Sequence, residues 1–227
     1  MNKSKILQAT EKFVRETLEG AEAGHDWWHI QRVVNNARLI SATEEGDPFI
    51  VELGALLHDI ADAKFHGGDN ELGPSKARNF LSAHQLAPEI IDHVEQIIRN
   101  ISFKGGYQPV TFHSQELAVV QDADRLDALG AIGIARAFHY GGYKNREIYN
   151  PSIPPNLQMD KDAYRKSTAP TLNHFYEKLL LLKERMQTPT GKKLAAQRHE
   201  FMEEFLRQFY MEWNGQRAST REIGVNS

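Results

Sequence analysis

The chain has 227 residues, a net charge of −3 and no cysteine. This composition excludes disulfides, thiolate metal sites and cysteine nucleophiles, and the acidic balance disfavours nucleic acid as a partner. No run approaches the ~20 apolar residues of a membrane span, and the start has no signal-peptide pattern, so we expect a cytoplasmic protein.

Apolar residues recur at helical spacing through the first half of the chain. Asp26 and Asp47 are well placed as N-caps, and Asp47 is followed by proline at the first helical position. Polar, glycine-bearing stretches at 61–73 and 102–113 are predicted loops. The predicted helices are residues 5–19, a stretch from Trp27 to Ile40, a stretch from Pro48 to the His58-Asp59 pair, residues 74–83 and a segment that begins at Pro88.

The middle of the chain predicts one long helical region followed by a loop. Ser114 is its expected N-cap, and the helical pattern continues to about Tyr140. Gly130 and Gly133 lie inside this region, so we expect close helix packing or a bend there. Residues 141–169 contain several glycines and prolines and are predicted to form the longest irregular segment.

The C-terminal part again shows helical spacing, at about 170–187 and 190–213. Residues 215–227 have no periodicity, and we expect them to fray. Strand patterns are almost absent, and the sequence shows no internal repeat and no composition shift that would mark a second domain. It therefore predicts a single all-α domain over residues 1–214.

Histidine and aspartate occur together in the predicted helices. His29 stands alone, His58 and Asp59 are adjacent, and a third segment is acidic at Asp122, Asp124 and Asp127. A lone histidine on an apolar helix is more often a satisfied core residue than a metal ligand. A buried imidazole beside a carboxylate is costly without a partner, however, and a first-row divalent cation pairs with both. The ordered set therefore predicts a metal site.

This order of residues resembles the HD superfamily of metal-dependent phosphohydrolases, and in particular the bacterial single-domain HD hydrolases of the YpgQ type. The resemblance extends over most of residues 20–215 and implies a helical bundle with a metal core at about 25–140 and C-terminal helices at 170–213. The matching segments are Asp26-Trp-Trp-His29-Ile-Gln-Arg-Val33, Leu56-Leu-His-Asp-Ile60, Ile101-Ser-Phe-Lys-Gly-Gly106, Ala123-Asp-Arg-Leu126 and the surrounding Gln121–Ala128.

The resemblance implies four metal ligands, which are His29, His58, Asp59 and Asp124. Asp122 and Asp124 point about 200° apart on a helix, so both are not expected to reach one cation. Asp122 is the alternative ligand, or an acceptor for the ring of a ligand histidine. Asp127 lies on nearly the same face as Asp124, and it either faces the site or forms a surface salt bridge.

The resemblance also places a catalytic carboxylate at Asp62, one helical turn after His58, where it would orient or deprotonate a water molecule. The alternative for Asp62 is an ordinary loop residue. Lys64, Lys104 and Arg125 are candidate ligands for phosphate oxygens, with a solvated surface cation as the alternative for each.

Two tryptophans and several further histidines lie near these segments. We expect Trp27 and Trp28 to be core and rim residues, with stacking on a base as the alternative for one of them. The remaining histidines do not form the adjacent pair common in bimetallic members, so we expect one metal.

The function implied is a phosphohydrolase of small nucleotides with one divalent ion, which the donor set allows to be Mn, Mg, Co, Ni, Fe or Zn. The resemblance favours cleavage of nucleoside triphosphates to monophosphate and pyrophosphate. The alternatives are a mono- or cyclic-nucleotide phosphatase, and a nucleotide-binding regulatory protein with a degenerate site. The 141–169 loop and the tail are candidate surfaces for a homo-oligomer.

Overall fold

The computed structural model describes residues 2–20, 26–61, 69–101, 112–159 and 166–216. Over these residues the fold is all-helical and contains no strand, which confirms the predicted fold class. None of the described helices is long and apolar enough to cross a membrane. The helices are α1 Lys3–Thr17, α2 Trp27–Ser41, α3 Pro48–Leu57, α4 Leu72–Ala83, α5 Pro88–Asn100, α6 Gln115–Asp127, α7 Gly130–Tyr143, α8 Asn173–Glu177, a 3-10 helix Leu179–Arg185, and α9 Pro189–Trp213.

Short polar side chains cap the N-termini of α2, α3, α6 and α9. The caps predicted at Asp26, Asp47 and Ser114 are confirmed, since each side chain accepts a hydrogen bond from a backbone N–H in the first turn. Thr188 caps α9 in the same way, through the backbone N–H of Gly191. These bonds satisfy N–H groups that have no partner within the helix, and they fix where each helix starts.

The core is centred on α2, α3 and α6, which pack on one another. Their inward faces are fully buried and aliphatic, and Gly54 lets α3 approach its neighbours closely. A Cβ on Gly54 would lie 3.1 Å from Ile97 and 3.3 Å from Val120. This packing brings the start of α2, the end of α3 and the end of α6 to one place. The buried residues include Ile30, Val33, Ala37, Ile40, Leu53, Leu57, Val119, Val120, Ala123 and Leu126.

The long helix predicted from Ser114 to Tyr140 is instead two helices, and the bend predicted near Gly130 is a complete break. Leu129 is extended, and Gly130 has a φ of +69°, a left-handed conformation that favours glycine. A Cβ on Gly133 would lie 2.2 Å from the carbonyl oxygen of Ala128. Glycine at both positions therefore allows α7 to leave α6 in a new direction.

The prediction of one helix over residues 170–187 was also wrong in part. Only α8 is α-helical, the chain leaves helical geometry at Lys178, with φ −145° and ψ −55°, and a 3-10 helix follows. Leu179 and Leu182 are both buried, and a three-residue period places them on one face. α3 ends at Leu57, so His58 and Asp59 lie just beyond the helix.

Candidate metal centre

His29 lies in the first turn of α2, where the cap fixes it. The backbone N–H of His29 donates to Asp26 Oδ1 at 2.9 Å, and the side chain is almost completely buried. Its Nδ1 is 2.8 Å from Asp127 Oδ2. Since a carboxylate only accepts hydrogen bonds, the neutral imidazole carries its proton on Nδ1 and directs a lone pair from Nε2.

His58 is the C-cap residue of α3 and is held by its own helix. Its backbone remains in the right-handed helical region, with φ −58° and ψ −31°. Its Nδ1 donates to the carbonyl oxygen of Ala55 at 2.9 Å. The lone pair of His58 is therefore on Nε2 in the neutral ring, as in His29.

The two Nε2 atoms are 3.3 Å apart. Two nitrogen ligands about 2.1 Å from one tetrahedral or octahedral ion lie roughly 3.0–3.4 Å from each other. The two rings meet edge to face, with centroids 5.3 Å apart, so both lone pairs can point to a common position. This spacing fits two ligands of one divalent ion.

Two carboxylates lie beside the histidines, Asp59 just beyond the end of α3 and Asp124 on α6. Atoms of His29, His58 and Asp59 that could ligate a metal all lie within 4.8 Å of one another. Asp124 Oδ1 is 3.5 Å from His29 Nε2 and 4.0 Å from His58 Nε2, and its side chain is 39% exposed. The structure thus places Asp59 and Asp124 near the two histidines, with Asp124 close to both Nε2 atoms and partly exposed to solvent.

Asp127 is buried, so the surface salt bridge considered from the sequence is wrong. Its carboxylate is 1% exposed and accepts hydrogen bonds from His29, Arg32 and Arg136. Burial alone would raise the pKa of this carboxyl. The bonds from His29 and Arg32 and the charge of Arg136 outweigh it and lower the pKa well below its ordinary value.

Sequence reasoning did not assign a role to Arg32 or Arg136. The signal available was spacing, because Arg32 lies three residues after His29 on α2 and so shares a face with it. Arg136 lies on α7, and its contact with Asp127 depends on the break at Gly130. In the single long helix predicted from the sequence, Asp127 and Arg136 would lie nine positions apart on opposite faces and could not be in contact.

Asp122 was the alternative ligand, and its contacts do not fit that role. It is fully buried and accepts hydrogen bonds from the backbone N–H groups of Gln187 and Thr188 and from the Thr188 hydroxyl. The acceptor for a ligand histidine is Asp127 instead. The geometry therefore favours Asp124 over Asp122 at the metal.

Arg125 does not extend toward the cluster. Its Nη1 donates to Asp122 Oδ1 at 3.1 Å and to the carbonyl oxygen of Arg185 at 3.0 Å. Burial is the largest influence on this group and lowers the pKa of the guanidinium. These contacts count against the phosphate-binding role predicted for Arg125, which stays a prediction.

Three other predicted site residues, Asp62, Lys64 and Lys104, lie outside the described residues. Within the part of the chain that the structure describes, no second cluster of three histidine or acidic groups occurs. Trp27 is in the core and Trp28 is 64% exposed, as the sequence predicted for core and rim.

Comparison with known proteins identifies the family. The model of the HD domain family matches residues 27–129. The Bacillus subtilis protein YpgQ is 36% identical over 224 residues, which cover 97% of this chain and 100% of YpgQ. The chain therefore belongs to the HD superfamily, and it is an HD-superfamily hydrolase.

Solved structures of similar proteins share the fold. The structure of an HD-superfamily hydrolase from Bacillus thuringiensis is 45% identical, has a TM-score of 0.77, and is aligned over 95% of this chain and 100% of its own. The structure of Bacillus subtilis YpgQ in complex with ADP is 36% identical, with a TM-score of 0.73, over 93% of this chain and 97% of its own.

Proposed function

We propose that this protein is a divalent-metal-dependent phosphohydrolase that cleaves nucleoside triphosphates to a monophosphate and pyrophosphate. The observation that carries the proposal is the meeting of the His29 and His58 Nε2 atoms, 3.3 Å apart, with Asp59 and Asp124. The crystal structure of the related YpgQ with ADP supports a nucleotide as the substrate class.

The donor set fits a first-row divalent ion. Two imidazole nitrogens and two carboxylates suit Mn, Fe, Co, Ni or Zn, and the carboxylates also accept Mg. When bound, such an ion supplies charge that lowers the pKa of a water molecule and neutralises charge developing on phosphoryl oxygens. Four protein ligands leave coordination positions open in an octahedral site.

The solvent exposure of the clustered side chains indicates the side from which the substrate would enter. Asp124 is 39% exposed, whereas His29 and His58 are each 4% exposed at the side chain, so the open side lies next to Asp124. Trp28 adjoins His29 and is exposed, which makes it the candidate for stacking on the base. We keep Asp62 as the proposed acid or base for the attacking water, and Lys64 and Lys104 as proposed phosphate ligands.

A panel of nucleotides tests the reaction. The purified protein, treated with chelator and reloaded with Mn²⁺, Mg²⁺, Co²⁺ or Ni²⁺, is mixed with nucleoside tri-, di-, mono- and cyclic monophosphates in ¹⁸O-labelled water. We expect pyrophosphate as product and the label in the nucleoside monophosphate. Release of inorganic phosphate from monophosphates would instead identify a phosphatase, and tight nucleotide binding without turnover would identify a regulatory protein.

A histidine variant with a matched control tests the site. His58→Ala removes one Nε2 ligand, and we expect metal-dependent turnover to fall by at least about 100-fold, since even supporting residues of metal sites cost 10–100-fold. His84→Ala is the control, because His84 is exposed and its ring contacts Phe80 on its own helix. Full activity in folded His58→Ala would refute the proposal.

A further inference from the structure

We infer that Asp127 is a positioning residue that holds His29 as an Nε2 metal ligand, and that Arg32 and Arg136 hold Asp127 in turn. The inference rests on the proposed function, because it concerns the same metal site. It assigns a role to three side chains that sequence reasoning either left open or did not single out.

The contacts of Asp127 use both carboxylate oxygens. Oδ2 accepts from His29 Nδ1 at 2.8 Å and from Arg136 Nη1 at 2.5 Å. Oδ1 accepts from Arg32 Nε at 2.6 Å, and Arg32 Nη2 lies 3.0 Å from Oδ2. The carboxylate therefore joins residues of α2, α6 and α7, and its position is set from three helices.

The bond to His29 decides which ring nitrogen faces the ligands. A carboxylate offers no proton, so Nδ1 must carry one and Nε2 keeps its lone pair. An asparagine amide at this position could instead donate to Nδ1 and favour the opposite tautomer, with a proton on Nε2. That tautomer cannot ligate a cation through Nε2.

The two arginines fix the orientation of the carboxylate. Arg32 approaches side-on with two nitrogens, a geometry that aligns the planes of the guanidinium and the carboxylate. Arg136 donates to the carbonyl oxygen of Asp127 as well as to its side chain. The carboxylate is thereby prevented from rotating away from His29.

A second buried carboxylate on the same helix offers a matched control. Asp122 lies on α6, is 0% exposed and also accepts several hydrogen bonds, but its donors are Gln187, Thr188 and Arg125. None of these is in the metal cluster. Asp122→Asn therefore removes an equivalent buried charge without touching His29.

Metal binding alone provides the main test. Chelator-treated wild type, Asp127→Asn and Asp122→Asn are titrated with Mn²⁺, and free Mn²⁺ is followed by electron paramagnetic resonance. We expect Asp127→Asn to bind about 10–100-fold more weakly and Asp122→Asn to bind like wild type once the folded fraction is matched. Equal Mn²⁺ affinity in wild type and folded Asp127→Asn would overturn the inference.

The tautomer of His29 gives a readout that loss of stability alone would not change. Two-bond ¹H–¹⁵N spectra of the metal-free protein should show His29 protonated on Nδ1 in wild type and Asp122→Asn, but not in Asp127→Asn. The same Nδ1-protonated signal in Asp127→Asn would also overturn the inference. If wild type itself binds no Mn²⁺, Co²⁺, Ni²⁺ or Mg²⁺, the proposed function fails instead.

Arg32→Gln keeps the test available if Asp127→Asn does not fold. The side chain of Arg32 is partly exposed, and its loss leaves Asp127 and His29 chemically intact. We expect a roughly threefold weaker Mn²⁺ affinity, smaller than the 10–100-fold typical of a direct supporting group. Unchanged affinity together with an unchanged His29 spectrum would contradict the role given to Arg32.

Discussion

Two buried carboxylates on α6, Asp122 and Asp127, accept hydrogen bonds from different parts of the structure. Asp122 accepts hydrogen bonds from the start of α9, through Gln187 and Thr188. Asp127 accepts them from His29 and from two arginines beside the metal cluster. Asp127 lies five positions after Asp122, so the two side chains point about 140° apart around the helix. One supports a helix junction and the other supports a ligand.

The difference shows that burial and residue type do not define a role. Both side chains are aspartates in one short acidic segment, and both are fully buried. What separates them is the donor that each meets, either backbone N–H groups or an imidazole. A backbone donor makes the carboxylate important for stability, whereas an imidazole donor makes it important for the orientation of a ligand. The variants below separate these two effects.

The largest contrast is expected between Asp124 and Asp122. Asp124→Asn removes a partly exposed carboxylate 3.5 Å from His29 Nε2, so we expect turnover to fall by at least about 100-fold with little change in Tm. Asp122→Asn should lower Tm markedly but keep turnover in the folded fraction. Steady-state assays and thermal melts of both variants measure this. Loss of turnover in Asp122→Asn together with full turnover in Asp124→Asn would instead identify Asp122 as the ligand, and the contrast between Asp122 and Asp127 would no longer hold.

Gly191 is the next site, because it is packed against the carboxylate of Asp122. A Cβ there would lie 2.4 Å from Asp122 Oδ2 and 2.7 Å from the Thr188 hydroxyl. Neither can move aside without breaking the cap, so Gly191→Ala should cost about 2–3 kcal/mol in the free energy of unfolding. Urea denaturation measures the loss, and Mn²⁺ affinity should not change.

Gly142→Ala is the control for that substitution. Gly142 is also helical, and a Cβ on it would meet nothing within 4 Å. Alanine has the higher helix propensity, so this variant should be more stable by up to about 1 kcal/mol. A Gly191→Ala protein as stable as Gly142→Ala would show that the carboxylate of Asp122 is not held as described.

Thr188 should show a smaller effect at the same junction. Its hydroxyl donates to Asp122 Oδ2 at 2.9 Å and accepts from the Gly191 N–H at 2.9 Å. Thr188→Ala should cost about 1–2 kcal/mol of stability, as for the loss of a strong N-cap. Thr188→Ser keeps the hydroxyl and should recover most of it. Equal losses in the alanine and serine variants would argue against the cap.

Much of the fold could be predicted from the sequence because its signals are local. The caps at Asp26, Asp47 and Ser114 depend on residues within three positions, and the structure confirms them. The end of α6 was not predicted, because a glycine within a helical pattern is compatible with both a bend and a break. The φ of +69° at Gly130 depends on the packing of α7.

In the candidate site, too, the sequence predicted some features and not others. The order of His29, His58-Asp59 and Asp124 predicted which residues the structure brings together. The roles of Asp122 and Asp127 could not be assigned, because their donors come from residues 65 and 98 positions away in the chain. Only the folded chain determines which of two similar aspartates meets an imidazole.

The dependence of stability on acid pH provides the test with the smallest expected effect, and it concerns Asp127 specifically. The pKa of Asp127 is well below its ordinary value, because bonds from His29 and Arg32 and the charge of Arg136 outweigh burial, which alone would raise it. The unfolded chain therefore takes up this proton at a higher pH than the folded protein does. As the pH falls below about 5, toward the ordinary aspartate pKa near 4, the stability contributed by Asp127 decreases.

Asp127→Asn lacks this contribution at every pH, so its free energy of unfolding should start lower and approach that of wild type between pH 5 and pH 3. Urea titrations in chelator at pH 7, 5, 4 and 3 measure the difference, and two parallel curves would mean that Asp127 is not held as an ion by its partners.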